Sequence, residues 1–191
     1  CWIILIYFDD DNCPLAINKY KYCDIKKKVF QTHWFNLIEK KFSGHDYPFY
    51  SLQMKDYVTV IAETIEQKII IVSQFRPAVE KETFEFPGGH IEDGEDPAAA
   101  AERELFEETG YTNSNIELLG SLYSDTGRHE NRLWCYWINN VYQKTGNYLE
   151  KDTIKVHTKT KSQFYHMIKN GDFFHALDLA ALGLAQARGK I

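Results

Sequence analysis

One segment near the middle of the chain constrains the fold more than any other. A glycine-rich turn, Pro87-Gly88-Gly89, follows a short strand-like run and leads toward a helix with clear start and stop signals. Asp96 is a favourable N-cap, Pro97 suits the first helical position, and Gly110 suits the C-terminal stop. The sequence therefore predicts a helix over 97–109 beside a strand that ends at the turn.

The two faces of this predicted helix differ in character. Its packing face carries Ala98, Ala101 and Leu105. Glu104, Glu107 and Glu108 are spaced i, i+3, i+4 and fall within about one quarter of the circumference, with Arg103 as their nearby cation. Clustered carboxylates are the hard oxygen ligands that Mg²⁺ or Mn²⁺ prefers. A solvated acidic helix is the alternative interpretation of the three glutamates alone.

The glycines around the helix change the balance between these interpretations. The segment 89–111 resembles the Nudix box, which reads Gly, five residues, Glu, seven residues, then Arg-Glu-aliphatic-any-Glu-Glu-any-Gly-aliphatic. The matching residues are Gly89, Glu95, Arg103, Glu104, Leu105, Glu107, Glu108 and Gly110. Tyr111 stands where the family usually has an aliphatic residue.

The resemblance carries expectations for the fold and the site. It implies an α/β/α sandwich around a mixed sheet, which agrees with the order of predicted elements. It implies Mg²⁺, or Mn²⁺, held by Glu104, Glu107, Glu108 and the backbone carbonyl of Gly89. Glu104 and Glu108 would be the principal ligands, and Glu107 a further ligand or a group that orients them. Glu95 and Arg103 would hold the loop to the helix.

Segments outside the box resemble the ADP-ribose pyrophosphatase-like branch. They are residues 56–63 (DYVTVIAE), 71–76 (IVSQFR), 83–89 (TFEFPGG) and the tail from Gly171. The branch implies hydrolysis of a nucleoside diphosphate sugar, with ADP-ribose as the leading candidate. Asp125-Thr126-Gly127 replaces a proline that marks many ADP-ribose enzymes, so a nucleoside triphosphate substrate stays open. A sensor that binds a nucleotide sugar without turnover is the alternative from another class.

Further candidates lie at strand ends and loops. Arg76 follows an apolar strand and could clamp phosphate, because guanidinium binds phosphate in a bidentate manner, or it could form a surface ion pair. Glu85 could contact substrate or metal, or it could simply be exposed. Arg128, with Arg132, flanks a loop that could bind phosphate or ribose. Three aromatic residues could stack on a base, namely Tyr50, Trp134 and Tyr136, but most of the 28 aromatic residues must lie in the core or at an interface.

The general base is expected outside the box. In the resembling branch an acidic residue on the loop before a strand and the last two helices has this role. Glu150 and Asp152 occupy that position, with Glu107 as the next candidate. The alternative is that both are ordinary solvated charges.

Hydrophobic patterning indicates that residues 1–50 could form a small separate strand-rich segment, without a linker that marks the boundary, and the resemblance implies a Nudix hydrolase domain over 51–191. The patterning predicts strands over 2–8, 29–38, 57–62, 68–75, 83–86, 116–123, 132–142 and 153–158, and helices over 97–109, 162–169 and 176–188. The branch exchanges its N-terminal strands between two subunits, so a homodimer is expected.

Charge and cysteine content indicate the setting of the protein. The net charge of −5 argues against nucleic-acid or membrane partners. The small-molecule nucleotide expected as the substrate is what the family resemblance implies. Four cysteines without metal-binding spacing indicate reduced thiols and a cytoplasmic location.

Overall fold

The computed structural model describes residues 23–144 and 153–191. The chain divides into two compact units, Cys1–Leu52 and Gln53–Ile191. The strand predicted over 2–8 lies outside the described residues. In the described part no helix is long and apolar enough to cross a membrane.

The first unit is described as a three-stranded sheet in the order β1-β2-β3. Its strands are β1 (Ile25–Gln31), β2 (Asn36–Lys41) and β3 (Phe49–Gln53). The single strand predicted over 29–38 is wrong, because the chain reverses inside it. The Thr32 hydroxyl accepts from the amides of Trp34 and Phe35 at 3.0 and 2.9 Å, and these bonds stabilise a turn that a hydrophobicity pattern does not reveal.

The second unit contains an eight-stranded sheet and three helices. Its elements are β4 (Tyr57–Thr64), β5 (Lys68–Arg76), β6 (Lys81–Glu85), β7 (Gly88–His90), α1 (Pro97–Thr109), β8 (Tyr111–Thr112), β9 (Ile116–Tyr123), β10 (Arg132–Gln143), β11 (Ile154–Thr160), α2 (Lys161–Asn170) and α3 (Ala176–Ala187). The central path runs β11-β5-β4-β10-β8. β10 and β4 are parallel, whereas β11, β5 and β4 pair in an antiparallel manner.

Two hydrophobic clusters place the helices on opposite faces of this sheet. On one side, Ala101 and Leu105 of α1 pack with Val60 and Ile70. On the other side, Phe164 of α2 and three residues of α3, Ala181, Leu182 and Ala185, pack with the alternate sheet residues. This arrangement confirms the predicted α/β/α sandwich around a mixed sheet.

Strands β4 and β5 pair with each other at one end and with different strands at the other end. The two strands pair at Ala62–Ile70 and Glu63–Ile69, near their connecting turn. At their other ends, β6 pairs with the end of β5 and β7 with the beginning of β4. The short connection through Phe86 and Pro87 therefore crosses from one strand to the other and delivers the two glycines to the end of α1.

Helix α1 begins and ends as the sequence predicts. The Asp96 side chain accepts from the amides of Ala98 and Ala99 at 2.9 and 3.2 Å. Gly110 adopts φ 72°, a left-handed conformation that glycine adopts without strain, and its N–H donates to the Phe106 carbonyl at 2.9 Å. These local bonds fix the boundaries of the helix independently of its tertiary contacts.

Candidate active site

The Arg103 side chain joins the loop before α1 to the helix by hydrogen bonds to both. Its guanidinium donates two hydrogen bonds to Glu95, at 2.7 and 2.9 Å, and one to Glu104, at 2.7 Å. It also donates to the carbonyl of His90 at 3.1 Å. Bonding to Arg103 lowers the pKa of Glu95 to about 2. The pair stays ionised at every physiological pH and holds residues 90–95 against the helix.

The three glutamates of α1 have three different environments. Glu108 is buried, and its Oε2 accepts from the Gly88 amide at 3.0 Å. Glu104 lies against Gly89, so closely that a Cβ on that glycine would stand 2.5 Å from its carboxylate. Glu107 is 45% exposed and lies 3.6 Å from Arg103. Glu104 and Glu108 therefore border the glycine turn, whereas Glu107 lies on the more exposed side, next to Arg103.

The carboxylates predicted as metal ligands do not form an all-protein metal cage. Within residues 23–144 and 153–191, no group of three His, Cys, Asp or Glu side chains is arranged to hold a metal ion. Mg²⁺, however, usually binds one or two carboxylates and fills its octahedron with water and substrate phosphates rather than occupying an all-protein cage. Glu104 and Glu108 beside the Gly88-Gly89 turn meet this smaller requirement, because both are largely shielded oxygen donors on one helix face.

A second ionic group joins β5 and β6. Arg76 donates to both carboxylate oxygens of Glu85 at 2.9 and 2.5 Å, and the Thr83 hydroxyl donates to Glu85 at 2.6 Å. Burial opposes ionisation of Glu85, but the bonds from Arg76 and Thr83 outweigh it and lower the pKa of Glu85. Arg76 remains 46% exposed. A buried carboxylate thus orients a guanidinium that is still open to solvent.

The family is decided by the match of this whole region. The NUDIX domain family matches residues 54–163, more than half of the chain. The chain belongs to the NUDIX domain family. The match includes β4 to β11, and with them both the glycine turn and the helix with its three glutamates, so the resemblance seen in the sequence is confirmed.

Individual relatives match shorter stretches of this NUDIX domain. A methanol dehydrogenase activator from Bacillus methanolicus is 41% identical over 87 residues, 46% of this chain and 47% of that protein. An ADP-ribose pyrophosphatase from Bacillus subtilis is 46% identical over 70 residues, 37% and 38% of the two chains. An ADP-sugar pyrophosphatase from Mus musculus is 45% identical over 71 residues, 37% and 33%. The matches span less than half the length of each relative.

A solved structure of an ADP compounds hydrolase shares the fold. It aligns with a TM-score of 0.71 at 18% sequence identity, over 89% of this chain and 96% of the other. At this identity the likeness concerns the fold alone.

Other predicted residues of the NUDIX domain are less closely connected to the turn. Arg128 is 76% exposed and lies 3.8 Å from Asp125. The Arg132 guanidinium is 5.0 Å from the Tyr123 ring centroid. Glu150 and Asp152 lie outside the described residues, so their predicted role as general base stays a prediction.

The structure separates the aromatic candidates for base stacking. Tyr136 is buried in the cluster beneath α1, and burial raises its pKa, so its predicted stacking on a base is wrong. Trp134 is partly buried and donates from Nε1 to Asp56 at 3.0 Å. Tyr50 belongs to the first unit, where it donates to Glu39 at 3.0 Å.

Sequence reasoning missed a polar group that the fold brings beside the turn. Asp178 of α3 is buried and accepts from the Thr59 hydroxyl and from the Phe86 amide, both at 2.8 Å. The sequence does contain a signal. Asp178 is spaced i, i+3, i+4 with Ala181 and Leu182, which places a carboxylate on the apolar face of an alanine- and leucine-rich helix.

Proposed function

We propose that this chain is a divalent-metal-dependent pyrophosphohydrolase that converts a nucleoside diphosphate sugar, with ADP-ribose as the leading candidate, into a nucleoside monophosphate and a sugar phosphate. One observation carries the proposal: Glu104 and Glu108 of α1 border the Gly88-Gly89 turn at the gap between β4 and β5. The names of the relatives from Bacillus subtilis and Mus musculus favour the same substrate class.

The proposed metal site uses Glu104, Glu108 and the Gly89 carbonyl, with Glu107 at its exposed side. A bound Mg²⁺ or Mn²⁺ would neutralise charge on the diphosphate and polarise its phosphorus–oxygen bonds. The protein contributes the fixed positions of these oxygens. The Gly88 amide donates to one carboxylate oxygen of Glu108, and the Arg103 guanidinium donates to one carboxylate oxygen of Glu104.

Arg76 and Glu85 are proposed to bind the substrate. Because Glu85 binds the guanidinium through Nε and one terminal nitrogen, the remaining N–H groups of Arg76 are available to a phosphate oxygen. Arg128 is proposed as a further contact from its exposed loop. The pair Arg76–Glu85 would thus orient the diphosphate while the α1 carboxylates hold the metal.

We propose Glu150, or else Asp152, as the group that takes a proton from the attacking water. A carboxylate that binds a dication is a poor proton acceptor, so the base is expected apart from the metal ligands. Removing a general base costs about 10²–10⁴ in rate. Glu150→Gln and Asp152→Asn should therefore be compared; if each keeps more than about a tenth of the activity, Glu107 becomes the candidate.

A substrate panel tests the reaction. The purified chain is incubated with ADP-ribose, other nucleoside diphosphate sugars and nucleoside triphosphates in Mg²⁺ or Mn²⁺, and released phosphomonoester is measured. We expect turnover of the diphosphate sugars and its loss on chelation of the metal. Preference for triphosphates would replace the proposed substrate, and tight binding of ADP-ribose without any product would favour the sensor.

We also propose a homodimer formed through residues 1–50. In the described part of this segment the sheet has β1 and β3 as its edges, and several large apolar side chains are exposed, Trp34 by 69% and Phe30 by 57%. Exposed edges and apolar patches favour pairing with another chain. Light scattering should give twice the chain mass of 22.3 kDa; a monomer at micromolar concentration would contradict the proposal.

A cytoplasmic location is proposed from the cysteines. Cys23 and Cys135 are free thiols in the described part of the chain. Burial raises the pKa of Cys135 to about 12, which keeps it protonated and unreactive. Thiol titration of the unfolded and native protein should find these two cysteines reduced, and a disulfide at either would argue for an oxidising compartment.

A further inference from the structure

Phe86 is the residue through which the C-terminal helices reach the glycine turn. Its ring is buried and packs against Phe164 of α2 and Phe173, with ring centroids 5.5 and 5.2 Å apart. Its backbone N–H donates to Asp178 of α3 at 2.8 Å. Both the side chain and the main chain of Phe86 are therefore held by elements that lie far away in sequence.

Asp178 is a buried carboxylate, 2% exposed, whose contacts satisfy it on several sides. The Thr59 hydroxyl donates to its Oδ1 at 2.8 Å, the Phe86 amide donates to its Oδ2 at 2.8 Å, and Nδ1 of His175 lies 2.9 Å from Oδ2. Placing an ionisable group in a helix face that otherwise packs against the sheet is costly unless its hydrogen bonds are made. Because burying a carboxylate costs free energy, the bond from the Phe86 amide to Asp178 indicates that Asp178 fixes the backbone at Phe86.

The backbone fixed in this way carries the candidate metal site. After Phe86, the Pro87 carbonyl accepts from Val60 N at 2.9 Å, and the Gly88 amide donates to Glu108 at 3.0 Å. A Cβ at Gly88 would stand only 2.2 Å from the Val58 carbonyl, which shows how closely this chain lies on β4. A shift at Phe86 is therefore transmitted within two residues to the amide that holds Glu108.

We infer that Asp178 is a positioning residue for the proposed metal site: by holding the Phe86 amide, it sets the register of the turn that places Gly88 on Glu108 and Gly89 against Glu104. The inference rests on the proposed function for the identity of the metal. Nδ1 of His175 lies 2.9 Å from Oδ2 of Asp178, and the nearby carboxylate raises the pKa of His175.

The test compares two substitutions that differ in one property. Asp178→Asn keeps an oxygen that can accept from Phe86 and an amide that can donate to Thr59, so it should preserve the turn. Asp178→Leu has nearly the same volume and removes both bonds. Titration with Mn²⁺ alone, without substrate, should give a dissociation constant within about threefold of wild type for Asp178→Asn. For Asp178→Leu it should rise at least about 10-fold, the size expected when a group supporting a metal ligand is removed.

Hydrogen exchange gives a second readout that does not need a metal. The amides of Phe86 and Gly88 should exchange slowly in wild type and in Asp178→Asn, and at least about 10-fold faster in Asp178→Leu. If Asp178→Leu yields no folded protein, Asp178→Ser replaces it, because a serine hydroxyl is too short to reach Phe86. Leu182→Ala is the matched control, since it removes core packing from the same helix but leaves the bond to the Phe86 amide; when exchange is compared relative to the unfolding free energy of each variant, both amides and Mn²⁺ binding should be unchanged.

The possible outcomes distinguish a failure of the proposed metal site from a failure of the role given to Asp178. Wild-type protein that binds no Mn²⁺ would refute the proposed metal site, and the exchange rates at Phe86 and Gly88 would then decide the inference alone. Equal Mn²⁺ affinity and equal exchange in wild type and Asp178→Leu would overturn the inference. An equal loss in Asp178→Asn and Asp178→Leu would also overturn it, because the effect would then belong to the charge and not to the bond.

Discussion

Replacing Gly89 by alanine tests whether the glycine turn and the helix carboxylates form one site. Gly89 does not adopt a left-handed φ, so alanine introduces no backbone strain there. The obstacle is the Glu104 carboxylate, whose Cδ and Oε1 would both lie 2.5 Å from the new Cβ. Ordinary contacts of this kind are 3.4–4 Å. The carboxylate must therefore move by roughly 1 Å, and it is the flexible end of a side chain that moves.

This displacement should separate stability from activity. Moving Glu104 weakens its 2.7 Å bond from Arg103, and a hydrogen bond between charged groups contributes about 1.5–3 kcal/mol. Partial exposure of the pair reduces this to about 1 kcal/mol, which lowers the melting temperature of a protein of this size by about 2–4 °C. Activity should fall far more, about 100-fold, the cost typical of a 1 Å misplacement in a catalytic site.

The assay measures initial rate against Mg²⁺ concentration together with thermal unfolding. Gly183→Ala is the matched control, because that glycine lies on the exposed face of helix α3 with nothing within 4 Å of an added Cβ, and alanine there should add about 0.5–1 kcal/mol to stability. Gly88→Ala should behave differently. Its Cβ would lie 2.2 Å from the Val58 carbonyl oxygen, so this variant should not fold. A Gly89→Ala variant with normal Mg²⁺-dependent turnover would refute the reasoning.

Three further expectations concern α1 and its loop. Glu104→Gln and Glu108→Gln should each abolish Mg²⁺-dependent turnover and lower the unfolding free energy by no more than about 1 kcal/mol, because each glutamine keeps an oxygen that accepts from Arg103 or from the Gly88 amide; near-normal turnover of either variant in limiting metal would contradict the site. The pKa of Glu95 is lowered to about 2 by Arg103, so its contribution to stability is complete above about pH 4.5 and disappears as the pH falls toward 2. The difference in unfolding free energy between wild type and Glu95→Gln should shrink over that range. Arg103→Lys should reduce the melting temperature at neutral pH, because lysine cannot make the forked contact; an unchanged value would contradict the role given to the fork.

The sequence predicts the elements that short-range chemistry determines. Helix α1 is found over its predicted residues because Asp96 and Gly110 supply bonds within a few residues of its ends. The strand predicted over 29–38 fails for the opposite reason. Its hydrophobic pattern is continuous, and the hydroxyl of Thr32 nevertheless turns the chain between two strands.

Partners distant in the chain could not be predicted from such patterns. β7 has three residues and exists because Gly88 and Gly89 fit against β4. Asp178 contacts Phe86 across 92 positions of sequence, so its role depends on a topology that a local pattern does not specify. The sequence therefore predicts the part of the candidate site that lies within the Nudix box, but it does not predict the support from the C-terminal helices.

The different environments of the three glutamates resolve the repulsion that their spacing creates. Glu108 is stabilised by a main-chain amide, while Arg103 is divided between Glu95, which takes two of its bonds, and Glu104, which takes one. Because Glu95 holds the guanidinium from the side away from Glu104, Arg103 neutralises Glu104 through a single N–H. The Glu104 carboxylate lies against Gly89 and is only 12% exposed, and a carboxylate in such a shielded position attracts a cation more strongly than it would in water. We therefore expect Glu95 to act on the proposed metal site indirectly: it holds Arg103 so that the guanidinium gives Glu104 a single hydrogen bond, and the charge left on Glu104 would attract a divalent cation.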